Sequence, residues 1–125
     1  MSHVTLQFLG RFSVTIDTTP VANFHSDKAR ALLAYLALEP QEQSRTQLAT
    51  LLWPEIDDPS ARTNLRNTLH RLRQTLDGAA PDAADQLLTV TRQTVQFNHQ
   101  SADVDVHRFQ QRIDRASASP ATQID

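Results

Sequence analysis

The sequence predicts an α+β fold: a short antiparallel meander, three helices and a closing β-hairpin. Three observations predict it. Residues 4–9 and 12–16 alternate polar and apolar side chains, the period of half-buried strands. Between residues 28 and 78 the apolar positions recur at helical spacing, interrupted at Pro40, Pro54 and Pro59. Residues 87–91 and 94–98 return to β-type runs on either side of Arg92-Gln93.

Taken in order, Val4-Thr-Leu-Gln-Phe-Leu9 reads as a strand, Gly10-Arg11 as a turn and Phe12-Ser-Val-Thr-Ile16 as the returning strand. Asp17-Thr-Thr-Pro20 is a second turn, and Val21-Ala-Asn-Phe24 a short third strand. Ser26 suits an N-cap for a helix from Lys28 to Leu38, in which Ala29, Leu32, Leu33 and Leu36 share a face and which Pro40 ends. Ser44 caps a shorter helix, with Gln47 completing a capping box and Leu48, Leu51 and Leu52 supplying its apolar side. Trp53-Pro54 closes it, with Trp53 sealing the helix against the sheet. Tyr35 and Phe24 are core or edge residues. An acidic, proline-bounded loop leads into a long helix from Pro59, with Gly78 as its C-cap and Ala79 to Asp85 as a small-residue loop. Leu87–Thr91 and Thr94–Asn98 form the hairpin. Val106 to Ala116 has helical character through Phe109 and Ile113.

Composition removes several classes of function. A chain of 125 residues holds one domain and a short extension. The absence of cysteine excludes disulfides and thiolate metal sites and suits a reducing cytosol, so a cytoplasmic protein is expected. No apolar run reaches the roughly 20 residues of a membrane span, and the N-terminus does not read as a signal peptide. With only two glycines there is no phosphate-cradling loop, and the five histidines are scattered. No catalytic residue, cofactor or enzymatic activity is expected. Asp103, Asp105 and His107 have a spacing that arises often by chance, so no metal is expected there either.

The long helix carries the chemistry. At about 100° per residue, Ala61, Leu65, Thr68, Leu69, Leu72 and Leu76 fall on one stripe facing the core. The opposite side presents Thr63, Asn67, His70 and Gln74, with Arg66 and Arg73 along one edge and Asn64 and Arg71 along the other. Arginine can bond a guanine edge with two hydrogens, asparagine or glutamine can do so for adenine, and threonine or arginine can hold phosphates. An Arg-rich polar face is most often merely solvated. Here it lacks the acids that would form i,i+4 pairs, while the net charge of −2 means that any basic surface is local. A short capped helix precedes it and a hairpin follows, the order of a winged helix-turn-helix.

Four stretches strengthen this reading: Leu6-Gln-Phe-Leu-Gly-Arg-Phe-Ser-Val, Lys28-Ala-Arg-Ala-Leu-Leu-Ala-Tyr-Leu-Ala-Leu, Leu48-Ala-Thr-Leu-Leu-Trp-Pro and Ala61-Arg-Thr-Asn-Leu-Arg-Asn-Thr-Leu-His-Arg-Leu-Arg. In this order they resemble the N-terminal, OmpR-type winged-helix domain of the Streptomyces antibiotic regulatory protein (SARP) family. The resemblance implies a bacterial transcriptional regulator that binds double-stranded DNA sequence-specifically. It implies a third helix in the major groove, a wing on the minor groove or backbone, tandem binding to direct-repeat operators and contact with RNA polymerase. Carried over by position, Arg62, Thr63, Asn64, Arg66, Asn67, His70, Arg71 and Arg73 are the recognition-helix candidates, and Arg92 sits at the wing tip. Lys28 and Arg45 are either phosphate contacts or ordinary surface charge. The family often has a Gly-aromatic pair in the returning wing strand, where this chain has Thr94-Val95. Glu55, Ile56, Asp57 and Asp58 are either a polymerase contact or a solvated loop whose acids favour the next helix's N-terminus.

Asp103-Val-Asp-Val-His-Arg-Phe109 resembles the junction into the bacterial transcriptional activation domain that follows in this family. The expected organisation is therefore a winged-helix domain over residues 1–100, and over 101–125 a linker with the first helix of that truncated second domain. The rival from another class is a winged-helix protein-interaction module without DNA binding.

Overall fold

In the computed structural model, which describes residues 3–9, 12–21, 24, 26–39 and 41–105, the alternation near the N-terminus becomes two paired strands. β1 (Val4–Gln7) and β2 (Ser13–Ile16) run antiparallel with Val4 opposite Ile16 and Leu6 opposite Val14. This register sets all four apolar side chains on one buried face. Asp17 and Thr18 turn the chain at φ 51° and 69°, left-handed values that match strand twist in a two-residue hairpin. β3 (Thr19–Pro20) then pairs with β2.

α1 (Asp27–Leu38) begins where Ser26 Oγ accepts the Ala29 N–H at 3.2 Å, and buries Ala29, Leu32, Leu33, Leu36 and Ala37. A two-residue strand, β4 (Gln43–Ser44), leads directly into α2 (Arg45–Leu52), where Ser44 Oγ accepts the Gln47 N–H at 3.3 Å. α3 (Asp58–Ala79) is the longest helix, and α2 packs along it. α4 (Ala83–Leu87) precedes the wing, β5 (Leu88–Val90) and β6 (Thr94–Phe97). A 3₁₀ turn at His99–Ser101 brings β7 (Asp103–Val104) back to the first sheet.

Two sheets flank the helices, one ordered β3-β2-β1-β7 and the other β4-β6-β5. Their inner faces and the helical stripes share one apolar core, closed by Phe97, Leu6, Ile16, Leu32, Leu33, Leu36, Leu65, Leu72, Leu76 and Leu87. The architecture is an α+β winged helix-turn-helix.

Several expectations are corrected. The third strand lies at Thr19–Pro20 rather than Val21–Phe24; Val21 and Phe24 are buried, while residues 22 and 23 lie outside the described residues. Gly78 is not a C-cap: the helix runs through it to Ala79, and extended Ala80 ends it with its N–H on the Leu76 carbonyl. The 79–85 loop contains α4, whose Ala84 N–H is held by Asp77 Oδ1 at 2.9 Å, and Leu87 belongs to that helix rather than to the wing. Residues 103 and 104, expected in a linker, form β7 parallel to β1. Trp53 is half-buried as the α2 C-cap, beside Lys28. The turn at Gly10-Arg11, the helix stop at Pro40 and the helical segment 106–116 lie outside the described residues.

Candidate nucleic-acid interface

The position of α3 follows from its two ends and its stripe. Asp57 accepts the Ser60 N–H at 3.0 Å, and Pro59 in the first turn brings a preset φ and no donor to satisfy. Hydrogen bonds from the Ser60 backbone and side chain hold the Asp57 carboxyl below the ordinary aspartate range. Ala61, Leu65, Thr68, Leu69, Leu72 and Leu76 are all buried, as the helical spacing predicts. With that face fixed inward, Arg62, Thr63, Arg66, Asn67, His70, Arg71 and Gln74 are exposed and Asn64 and Arg73 half-buried.

Two grooves run along the flanks of this face. The first, of about 800 Å³, is lined by Ser44, Arg45 and Thr46 from the start of α2, by Arg62, Thr63 and Arg66 from α3, and by Arg92 and Gln93 from the wing tip, among others. No acid is found among the described residues that line it. Three elements thus bring four arginines to one cleft. In low-salt water such a cleft attracts anions, because its charges add and no acid stands among its described lining. The second groove, of about 280 Å³, lies on the other flank between Lys28 and Trp53 on one side and Asn64, Asn67 and Arg71 on the other.

Not every candidate side chain stands free. Thr63 Oγ1 donates to the Pro59 carbonyl at 3.1 Å, so outward it offers a methyl group and an acceptor oxygen. Arg73 Nη2 meets Asp85 Oδ1 of α4 at 2.9 Å. Both side chains are substantially exposed, so the pair is weak and salt-sensitive. Lys28 Nζ donates to the Leu52 carbonyl and lies 5.7 Å from the centre of the Trp53 ring, where it closes the end of α2. Arg45 donates through Nη1 to the Thr91 carbonyl at 3.1 Å. In the acidic loop Glu55, Asp57 and Asp58 are exposed, as is Ile56 at 41%.

Thr46 and Gln93 also line the first groove, though neither is among the candidates that the sequence offers. Gln93 was adjacent to a named candidate at the turn tip. Thr46 carried no local signal, because its proximity to the wing depends on β4 joining β6.

In structure the chain is similar to Mycobacterium tuberculosis EmbR, solved in complex with a low affinity phosphopeptide, with a TM-score of 0.69 at 27% identity. The match covers 87% of this chain, which spans only about 28% of the length of that one. The likeness supports a SARP-like winged-helix fold. No protein-family model matches the sequence, and no curated protein matches it.

Proposed function

We propose that this chain binds double-stranded DNA sequence-specifically, as the DNA-binding unit of a bacterial transcriptional regulator. In this reading α3 enters the major groove and the β5–β6 wing meets the minor groove or backbone. One observation carries it: Arg45, Arg62, Arg66 and Arg92, from α2, α3 and the wing, line a single groove with no acid among its described lining residues, beside an exposed Thr-Asn-His-Gln face. The fold shared with EmbR supports it in its broad form.

The roles divide by position. Thr63, Asn67 and His70, central on the exposed face, read bases; a threonine whose hydroxyl proton is already committed suits a thymine methyl. Arg62, Arg66 and Arg92 hold phosphates or a base edge on the wing side. Asn64 and Arg71, with Lys28, do so on the other flank. Arg73 contributes least, since Asp85 competes for it. Tandem binding to direct repeats and a contact between the Glu55, Ile56, Asp57 and Asp58 loop and RNA polymerase complete the proposal. Exposed Ile56 among acids supports the latter, and Asp57, which also caps α3, is the acid of this loop whose replacement would disturb the helix as well. Ile56→Ala is expected to leave operator affinity intact and lower transcription.

The test is selection of bound duplexes from a random-sequence library, followed by affinity against salt. Four arginine–phosphate contacts, from Arg62, Arg66, Arg71 and Arg92, give a log–log slope of about −3.6, hence a roughly 150-fold loss between about 50 and 200 mM salt. Failure to enrich any duplex, or binding indifferent to salt, overturns the reading in favour of a protein-interaction module.

A further inference from the structure

The wing of this domain is braced at its tip. The Thr91–Thr94 turn has an unusual hydrogen-bond pattern. Thr91 N–H reaches the Thr94 carbonyl at 2.9 Å, as a hairpin requires. The Thr94 N–H, which would ordinarily return to the Thr91 carbonyl, goes instead to Thr91 Oγ1 at 2.9 Å, and the Gln93 N–H goes to the same oxygen at 3.2 Å. The Thr91 carbonyl is thereby left open to a donor from elsewhere. Arg45 Nη1 takes it, while the Arg45 backbone N–H donates to the Gln93 carbonyl at 2.9 Å. One residue at the start of α2 therefore grips the turn on both sides of Arg92.

The grip is continuous with the sheet. β4 pairs with β6 through Gln43 opposite Val95 and Ser44 opposite Thr94, and Thr94 Oγ1 donates to Glu42 at 2.9 Å. The β4–β6 bonds anchor the returning strand alone. The Arg45 side chain ties α2 directly to the Thr91 carbonyl on the other side of the tip. It does so as a cation bonded to a carbonyl, a charge-assisted contact stronger than a neutral one.

We infer that Arg45 is a positioning residue that aims Arg92, fixing the wing tip relative to α2 so that Arg92 faces the same groove as Arg62 and Arg66. This rests on the DNA-binding reading above and assigns Arg45 a role other than an independent phosphate contact. Without the Arg45 side chain the turn keeps its own Thr91–Thr94 bonds and the Arg45 N–H on Gln93 but loses its tie from α2 to the Thr91 carbonyl, and an Arg92 contact that must first be ordered contributes less.

A double-mutant cycle on the full chain tests this, with the duplex enriched from the library as probe and the salt slope as readout. Arg92→Ala is expected to make the slope shallower by about 0.9, the value of one phosphate contact. Arg45→Met, which keeps the aliphatic stem, is expected to do the same through loss of Arg92's contact. The double variant should then lose about 0.9 in total rather than the roughly 1.8 of two independent contacts. A loss near 1.8, or an undiminished Arg92 effect in the Arg45→Met background, overturns the inference while leaving the DNA reading intact. Arg45→Gln is measured in parallel, with thermal unfolding of each variant, so that an unfolded variant is not read as a lost contact. If no duplex is enriched for the wild-type chain, the DNA reading fails and this inference fails with it.

Discussion

Asp57 holds the start of α3 with a charge rather than with bulk. Its carboxyl is acidified by the Ser60 hydrogen bonds, so its folded pKa lies below the ordinary 3.8. A lowered carboxyl pKa contributes stability that is complete above the unfolded value and disappears as pH falls through the folded one. Thermal unfolding is therefore expected to show an acid-side loss below about pH 3.8 to which Asp57 contributes. Asp57→Asn, which still accepts a hydrogen bond, should keep the cap but lose that share of the pH dependence, and Asp57→Ala should lose both. Arg66 permits a sharper test of the interface. It is exposed on the wing-side groove without an acid among the groove's described lining. If it reads a base, Arg66→Ala is expected to cost about 1–3 kcal/mol and relax specificity at one position. Equal weakening on every duplex would make it a phosphate contact.

At the scale of elements, α3 shows what an amphipathic pattern determines and where it stops. Its six buried positions follow from spacing alone, because a helix can turn only one stripe inward. Its end does not. Gly78 looked like a stop, yet the chain continues as helix and an added Cβ there would meet nothing within 4 Å. Gly78→Ala is accordingly expected to stabilise the domain, by up to about 0.5–1 kcal/mol, because alanine loses less backbone entropy than glycine in a helical turn. A C-cap glycine would give the opposite sign, and a melting curve distinguishes the two. Helix α4 escaped detection for a related reason. Five residues with an Ala-rich face carry too little periodicity, and the Asp77 carboxylate that holds its Ala84 N–H comes from the preceding helix.

For the whole molecule, two minor strands decide the arrangement. β4 joins the wing to the helix-turn-helix, and β7 returns the chain to β1, where Asp105 accepts the N–H groups of Phe8 and Leu9 at 2.7 and 3.0 Å. Val104 is buried against the first sheet. A chain ending at Gln100 is expected to be less stable than one ending at Asp105, by at least about 1.5 kcal/mol, the transfer value of one buried valine. Equal unfolding midpoints for the two chains would show that β7 is dispensable. The net charge of −2 says little about function at this scale, since the fold gathers four arginines into one cleft.

What the sequence by itself determined was the succession of meander, helices and hairpin, the buried stripe of α3 and hence its exposed Arg62, Thr63, Arg66, Asn67, His70 and Arg71. These follow from period and local capping, which act within a few residues. Only the tertiary structure decided how the candidates group: Arg45, Arg62, Arg66 and Arg92 in one cleft, Lys28 with Asn64, Asn67 and Arg71 beside another, and Arg73 against Asp85. Arg45 meets Thr91 across 46 positions of chain, and Asp105 meets Phe8 across 97. Contacts at such separation depend on how the elements pack, and no local pattern records them.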